Sequence, residues 1–388
     1  ILFTPAEKER AEVRGFSEVI QGGGESLNGV ITDIAGVIEG CKEAIEKVSK
    51  EAHMIPSKLL LGVGGEAVKG ATLTETIERE DPQVKINLTE LHNAIHKLEW
   101  RTFAALRKEI SEEMGYPEIE TRLVDAAILD IKIDGYSLKN PVGFQGKEIQ
   151  MSIFNSFAPL AHYAALQNIA SNLGLEMLGI VSEAYALARS LELEDPHFST
   201  LFIDVGGSTS NIMMIKNGVL LGTKMFGIGG RTFTKRIAME LNISCEEAEK
   251  LKWAYSADKL EQKSKKIISD ILAQDLDLWL QGVVLTLSDF KQEELPSKIL
   301  ISGGGSHLPE IKDLLNQRKW YKKFSFSQKP QASFMRPSDL PNIIDESKKI
   351  RDPKNIIPAA LVNLGLELAG EETLIQKSLR KVIGIMKV

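Results

Sequence analysis

Residues 201–209 read Leu-Phe-Ile-Asp-Val-Gly-Gly-Ser-Thr, an apolar run that reaches an acid and then a Gly-Gly-Ser-Thr turn. This stretch constrains the chain most. Gly206 and Gly207 let backbone N–H groups approach a polyphosphate closely, and a nest of N–H groups binds anions. Ser208 and Thr209 add hydroxyl donors. Asp204, at the strand end, suits Mg²⁺ held through water. Two more apolar runs follow, Asn211–Ile215 and Val219–Met225, split by Lys216-Asn217-Gly218. Asn-Gly between such runs predicts a hairpin. The glycine turn therefore joins two strands and does not open a helix. The plain alternative is a tight glycine turn that holds no ligand.

A second cluster, Ile301-Ser302-Gly303-Gly304-Gly305-Ser306-His307-Leu308, precedes Pro309-Glu310-Ile311, where a helical pattern opens. Strand, triple glycine and helix start make bare backbone against which a flat ring can lie. Between the clusters come Gly227-Ile228-Gly229-Gly230 and a helical segment, Cys245–Tyr255. Glu249 and Lys252 share one face of that helix. Such a pair either hydrogen-bonds a ribose or is a solvated surface pair.

This order of motifs resembles the second half of the actin-like ATPases, a group that includes actin, MreB, the sugar kinases and the heat-shock chaperones. Within the group it most resembles the bacterial cell-division family FtsA. Gly229-Gly230-Arg231-Thr232-Phe233-Thr234-Lys235-Arg236-Ile237-Ala238 looks like the family's Gly-Gly…Thr…Ile-Ala helix. Ala248-Glu249, Lys252 and Tyr255 look like its Ala-Glu-x-x-Lys segment. The discriminating stretch is Ile133-Asp134-Gly135 followed by Asn140-Pro141-Val142-Gly143-Phe144-Gln145-Gly146. Gly29-Val30-Ile31-Thr32-Asp33-Ile34 resembles the entry to the family's first long helix. The likeness spans roughly residues 25–320. One departure stands out: the family's first phosphate hairpin, Asp-Ile-Gly-Thr, has no counterpart in Ile1–Arg10. Either a segment precedes Ile1, the expectation favoured here because the second half of the site is fully written, or half of the nucleotide clamp is lacking.

With 388 residues, two lobes are expected. A net charge of −6 argues against non-specific nucleic-acid binding. Cys41 and Cys245 offer neither a disulfide framework nor a metal spacing, which suits a reducing cytoplasm. Strands alternating with helices predict an α/β chain. The resemblance specifies an actin-like two-lobed fold of duplicated ribonuclease-H-like cores with an inserted α+β subdomain of the FtsA type. The expected organisation is a first-lobe core over 1–65, the inserted subdomain over 66–148, and the first lobe continued over 149–197. The second-lobe core with the phosphate hairpin is expected over 198–228, a helical insert over 229–296, and the adenosine motif over 297–357. A helix returning to the first lobe (358–370) and an amphipathic tail helix (371–388) complete the chain. Apolar spacing predicts one helix over 30–52, and Gly64-Gly65 reads as a plain turn after a buried strand.

On a helical wheel of the tail, Leu374, Ile375, Leu379, Val382, Ile383, Ile385 and Met386 fall on one half, while Lys377, Arg380, Lys381 and Lys387 fall on the other. An apolar face opposed by a basic face predicts an interfacial helix on anionic lipid. The alternative is a terminal helix docked on the protein's own core. FtsA proteins end in such a targeting helix.

The resemblance implies that two lobes close around ATP and Mg²⁺. Asp204 would be the metal-side acid, and Gly206, Gly207, Ser208 and Thr209 would hold the phosphates beside Gly229 and Gly230. Gly303, Gly304, Gly305 and Ser306 would cover the adenine, with Glu249 and Lys252 at the ribose. Glu183 stands where relatives place a group near the attacking water; equally, it is an acid favoured at a helix N-terminus. Hydrolysis, if present, would be slow and act as a switch. The implied role is a filament-forming adaptor that binds the FtsZ C-terminal peptide, itself and the cytoplasmic face of the membrane, with no nucleic-acid partner. Three alternatives remain: a scaffold resembling PilM, the adaptor of type IV pili; a small-molecule kinase on the same fold; and a chaperone.

Overall fold

The computed structural model describes residues 1–7, 10–21, 24–27, 29–66, 68–115, 117–138, 140–191, 198–290, 292–346 and 348–369. An antiparallel hairpin comes first, β1 (Leu2–Ala6) and β2 (Arg10–Gly15). A short ribbon, β3 (Ser26–Leu27) and β4 (Val30–Ile31), leads into α1 (Ile34–Ala52). The helix begins later than the apolar spacing predicts because Asp33 caps it, accepting from the N–H groups of Ala35 and Gly36. β5 (Lys58–Val63) follows.

The next unit holds β6 (Lys69–Glu78), α2 (Leu88–Met114), β7 (Thr121–Ile133), β8 (Tyr136–Ser137) and β9 (Glu148–Pro159). Asn87 caps α2 through the Glu90 N–H at 2.9 Å, and Gly115 ends it in the left-handed region at φ 71°. Leu91, Ile95, Leu98 and Leu106 of α2 bury against Ile149, Met151 and Ile153 of β9. β9 pairs with β6 and β7 along its length, so this unit runs to Pro159, past the boundary at 148 suggested by sequence texture. The Asn-Pro loop folds back on the segment before α2: the Gly143 N–H donates to the Ile86 carbonyl and the Ile86 N–H to the Phe144 carbonyl, each at 2.8 Å.

α3 (Leu160–Asn172), β10 (Glu176–Ser182) and α4 (Glu183–Ser190) come next, and β10 pairs with β5 in parallel. The second half opens with the meander β11 (Thr200–Val205), β12 (Ser210–Lys216) and β13 (Val219–Phe226). Asn217 (φ 53°) and Gly218 (φ 74°) are both left-handed, as a tight hairpin turn of this hand requires. Three helices follow, α5 (Gly230–Leu241), α6 (Cys245–Ser256) and α7 (Gln262–Ser288). Then come β14 (Lys298–Ser302), α8 (Pro309–Gln317), β15 (Gln331–Phe334), β16 (Ile343–Ile344) and α9 (Ile356–Ala369).

β11 is buried on both faces, as its continuous apolar run requires. Leu201, Ile203 and Val205 pack with α5, α7 and α8, and Phe202 packs with α4 and α9. β15, β14, β11, β12 and β13 form one sheet, which continues through β6, β9, β7 and β8. The junction between β13 and β6 is a single pair, Gly222 opposite Ala71. The irregular stretch after α8 does not belong wholly to this sheet: β16 pairs in parallel with β2, beside the N-terminal hairpin. The span 297–357, expected to be second-lobe core throughout, is therefore divided between two sheets. α9 lies against the first segment, where Gly62 leaves room for Leu361 and Gly365 for Phe3.

Among the described residues, no helix is long and apolar enough to cross a membrane. The tail residues Leu374, Ile375, Lys377, Leu379, Arg380, Lys381, Val382, Ile383, Ile385 and Met386 lie outside the described residues.

Candidate functional site

Four turns that follow parallel strands meet in one cleft. They follow β5 (Gly64-Gly65), β10 (Ser182-Glu183), β11 (Gly206–Thr209) and β14 (Gly303–Ser306). The carboxyl ends of strands are where open α/β sheets place ligands.

The β11–β12 turn is held by the Gly206 N–H, which donates to the Thr209 carbonyl at 2.9 Å. Its other side is pinned by α5: the Gly230 N–H donates to the Gly206 carbonyl at 2.9 Å and the Arg231 N–H to the Gly207 carbonyl at 2.6 Å. These bonds leave the N–H groups of Gly207 and Ser208 without a backbone acceptor among the described residues. Gly229 allows the approach, since a Cβ there would lie 2.7 Å from the Gly206 carbonyl oxygen. The triple glycine packs just as closely. Gly303 has φ +87°, and a Cβ on it would meet the Val205 carbonyl oxygen at 2.4 Å and Asp204 Oδ1 at 2.8 Å. A Cβ on Gly305 would meet Val205 Cγ1 at 2.6 Å. The structure thus brings Asp204, Gly206–Thr209, Gly229-Gly230 and Gly303–Ser306 together.

Asp204 accepts a 2.6 Å hydrogen bond from the Ser302 hydroxyl. Burial raises the Asp204 carboxyl above its ordinary pKa, and the Ser302 bond opposes the shift. Glu183 opens α4 behind its cap Ser182. Burial pushes its carboxyl up to about 7, and the nearby Asp204 charge adds to the rise. The turn that carries Glu183 is anchored by Asp125, whose carboxylate accepts the Ser182 N–H. Gly64 lies directly against Glu183, because a Cβ on it would fall 2.0 Å from Glu183 Oε2. The plain-turn expectation for Gly64 is thereby corrected: the absence of a side chain there makes space for the carboxylate. A strand followed by Gly-Gly, as at Gly206-Gly207, was the signal in the sequence.

Glu249 and Lys252 come together at 2.8 Å, with Lys252 turned inward and Glu249 part-exposed. Lys252 is only 7% exposed. Its ammonium donates to Glu249, to the Gly230 carbonyl at 2.9 Å and to the Thr234 hydroxyl at 2.7 Å. An ammonium has three N–H donors, so none is left for a ribose. Lys252 instead braces the first turn of α5 under the phosphate hairpin, a correction to the expected ribose contact. Glu249 also accepts from Thr234 and from Trp253 Nε1, the latter at 2.9 Å. Sequence reasoning missed Trp253. Its half-exposed ring lies 5.3 Å from His307, which follows the triple glycine and is bonded to Asp352 at 2.9 Å.

Among the described residues, no group of three or more His, Cys, Asp or Glu is arranged to hold a metal ion. Two carboxylates beside open N–H groups nevertheless suit Mg²⁺, which takes few protein ligands and relies on phosphate and water oxygens.

The family model for cell division protein FtsA matches residues 201–356, the span that holds the hairpin, the α5–α6 brace and the triple glycine. Similar proteins include cell division protein FtsA of Enterococcus hirae, 22% identical over 315 residues and covering 76% of this chain and 68% of that protein. FtsA of Neisseria meningitidis serogroup B is 21% identical over 306 residues, covering 73% and 70%. The chain is thus similar to FtsA proteins, at about one identical residue in five. A chain of a PilM-PilN type IV pilus biogenesis complex superimposes with a TM-score of 0.66 at 17% identity, over 94% of each chain. The fold is the actin-like ATPase fold, and the glycine turns at 206–207, 229–230 and 303–305 lie within the span that the FtsA model matches.

Proposed function

We propose that this chain is a nucleotide-gated adaptor of bacterial cell division. The observation that carries the reading is the convergence of four strand-end turns on a cleft with a glycine hairpin, open N–H donors and two facing acids. Asp204 and Glu183 would sit on the Mg²⁺ side and Gly206–Thr209 on the phosphates, with Gly303–Ser306 and Trp253 beside the base. Bound Mg²⁺ supplies charge neutralisation for the polyphosphate. Glu183, whose carboxyl is pushed up to about 7, would orient or deprotonate a water. Nucleotide would bias lobe closure, and closure would bias head-to-tail self-association. The partners that fit an FtsA role are the FtsZ C-terminal peptide and, through residues 371–388, the inner face of the cell membrane. Any ATP hydrolysis then serves as a slow switch.

Asp204→Ala tests the cleft. It is expected to weaken ATP with Mg²⁺ at least tenfold while changing metal-free ATP much less, because a charge-assisted contact contributes about 1.5–3 kcal/mol. Equal losses with and without Mg²⁺ would remove Asp204 from the metal side. Deleting 371–388 tests the membrane role: the shortened protein is expected to stay in the supernatant with vesicles of anionic lipid that sediment the full chain. Unchanged sedimentation would refute the anchor.

The overlay across 94% of a chain from a PilM-PilN complex suggests one second reading, a scaffold that binds a short segment of a membrane protein in a pilus-type assembly. The two readings separate on peptide binding. An FtsZ C-terminal peptide binding in preference to a PilN-type cytoplasmic peptide supports the division role, and the reverse supports the scaffold.

A further inference from the structure

The cleft also carries a cation, Arg231, on the α5 side. Arg231 is the second residue of α5, and its N–H is fixed to the Gly207 carbonyl at 2.6 Å. That bond holds its Cα beside the tip of the glycine hairpin, so the side chain runs over the turn. Its Nε lies 3.7 Å from the place a Cβ would occupy on Gly207. Arg231 is exposed. Among the described residues its guanidinium has neither an ion-pair partner nor a hydrogen-bond acceptor. The contrast within α5 is informative. Arg236, one turn on, is committed to Asp275 through two bonds at 2.9 and 3.0 Å.

We propose that Arg231 grips the polyphosphate of the bound nucleotide, closing over the hairpin from the α5 side. The proposal rests on the nucleotide reading of the cleft. Three features support it together. The open N–H groups of Gly207 and Ser208 sit in the same turn over which the side chain lies. Gly207 offers bare backbone beneath the guanidinium, with Arg231 Nε 3.7 Å from where a Cβ would sit. A planar fork of N–H donors matches a pair of phosphate oxygens, where an ammonium acts only as a point charge. Arg231 therefore adds a side-chain contact to a site otherwise built from backbone and hydroxyl donors. It should make the cleft favour nucleotides with more phosphates.

The test is calorimetric titration of the full chain, Arg231→Ala and Arg231→Lys with ATP, ADP and adenosine in the presence of Mg²⁺. Arg231→Ala is expected to lose about tenfold to hundredfold in ATP affinity, the range for a charge-assisted fork. The loss should be smaller for ADP and absent for adenosine. Arg231→Lys should recover only part of the ATP affinity. Equal ATP affinity in wild type and Arg231→Ala overturns the proposal and leaves the nucleotide reading intact. An equal loss for ATP and adenosine also overturns it, since that pattern marks a distorted cleft. Absence of ATP binding by the wild type overturns the nucleotide reading, and this proposal with it.

Discussion

Replacing Glu99 by Gln is expected to stabilise the protein by about 2–4 kcal/mol at pH 8 and to change little at pH 4.5. Glu99 lies in the middle of α2 with no exposed surface. Among the described residues, neither carboxylate oxygen has a hydrogen-bond partner. Burial alone pushes its pKa up to about 8. The sign follows from proton counting. In the unfolded chain the carboxyl loses its proton near its ordinary value of 4.5, whereas in the folded chain it keeps the proton to about 8. Between those values folding takes up a proton, so stability falls as pH rises, by up to about 1.4 kcal/mol per unit. Gln has nearly the same shape and never charges. Denaturant unfolding of both proteins at several pH values checks this. The two stability curves should diverge with rising pH, and parallel curves would show that Glu99 is partnered or hydrated in solution.

Lys252→Met should destabilise the second half of the molecule by about 2–4 kcal/mol. The substitution keeps an unbranched stem of similar length but removes the ammonium that joins α6 to the first turn of α5. The Gly230 carbonyl and the Thr234 hydroxyl would each lose a buried donor. Glu249 would be left with Thr234 and Trp253. Because Gly230 and Arg231 also hold the phosphate hairpin, ATP affinity should fall as a consequence of that movement. Unfolding measurements separate this role from a ligand contact. A Lys252→Met protein with wild-type stability and lost ATP affinity would restore the ribose assignment.

Features set by neighbours in sequence were legible without the structure. The Asn217-Gly218 turn needs only two left-handed residues between apolar runs, and Pro309 at the first turn of α8 marks that helix start directly. The glycines at 206–207 and 303–305 were legible because a strand ending in bare backbone is itself a local pattern. Features set by distant partners were not. Gly64 follows a strand as Gly206 does, but what it makes room for, Glu183, lies far along the chain. The shared face of Glu249 and Lys252 follows from helical spacing, but whether that face points to solvent or into the protein depends on where Gly230 and Thr234 lie. The pairing of β16 with β2 rests on two residues, too few to carry a periodic signal. Arg231 lay inside a recognised motif, and only the bond from its N–H to Gly207 shows what its side chain overlies.

The central claim is that the cleft at the ends of β5, β10, β11 and β14 is a nucleotide switch. Calorimetric titration of the protein with ATP, with and without Mg²⁺, tests it most directly. The account predicts saturable binding of one ATP per chain, tightened by Mg²⁺. Heats indistinguishable from dilution under both conditions would contradict it and leave the glycine turns as packing devices of the fold.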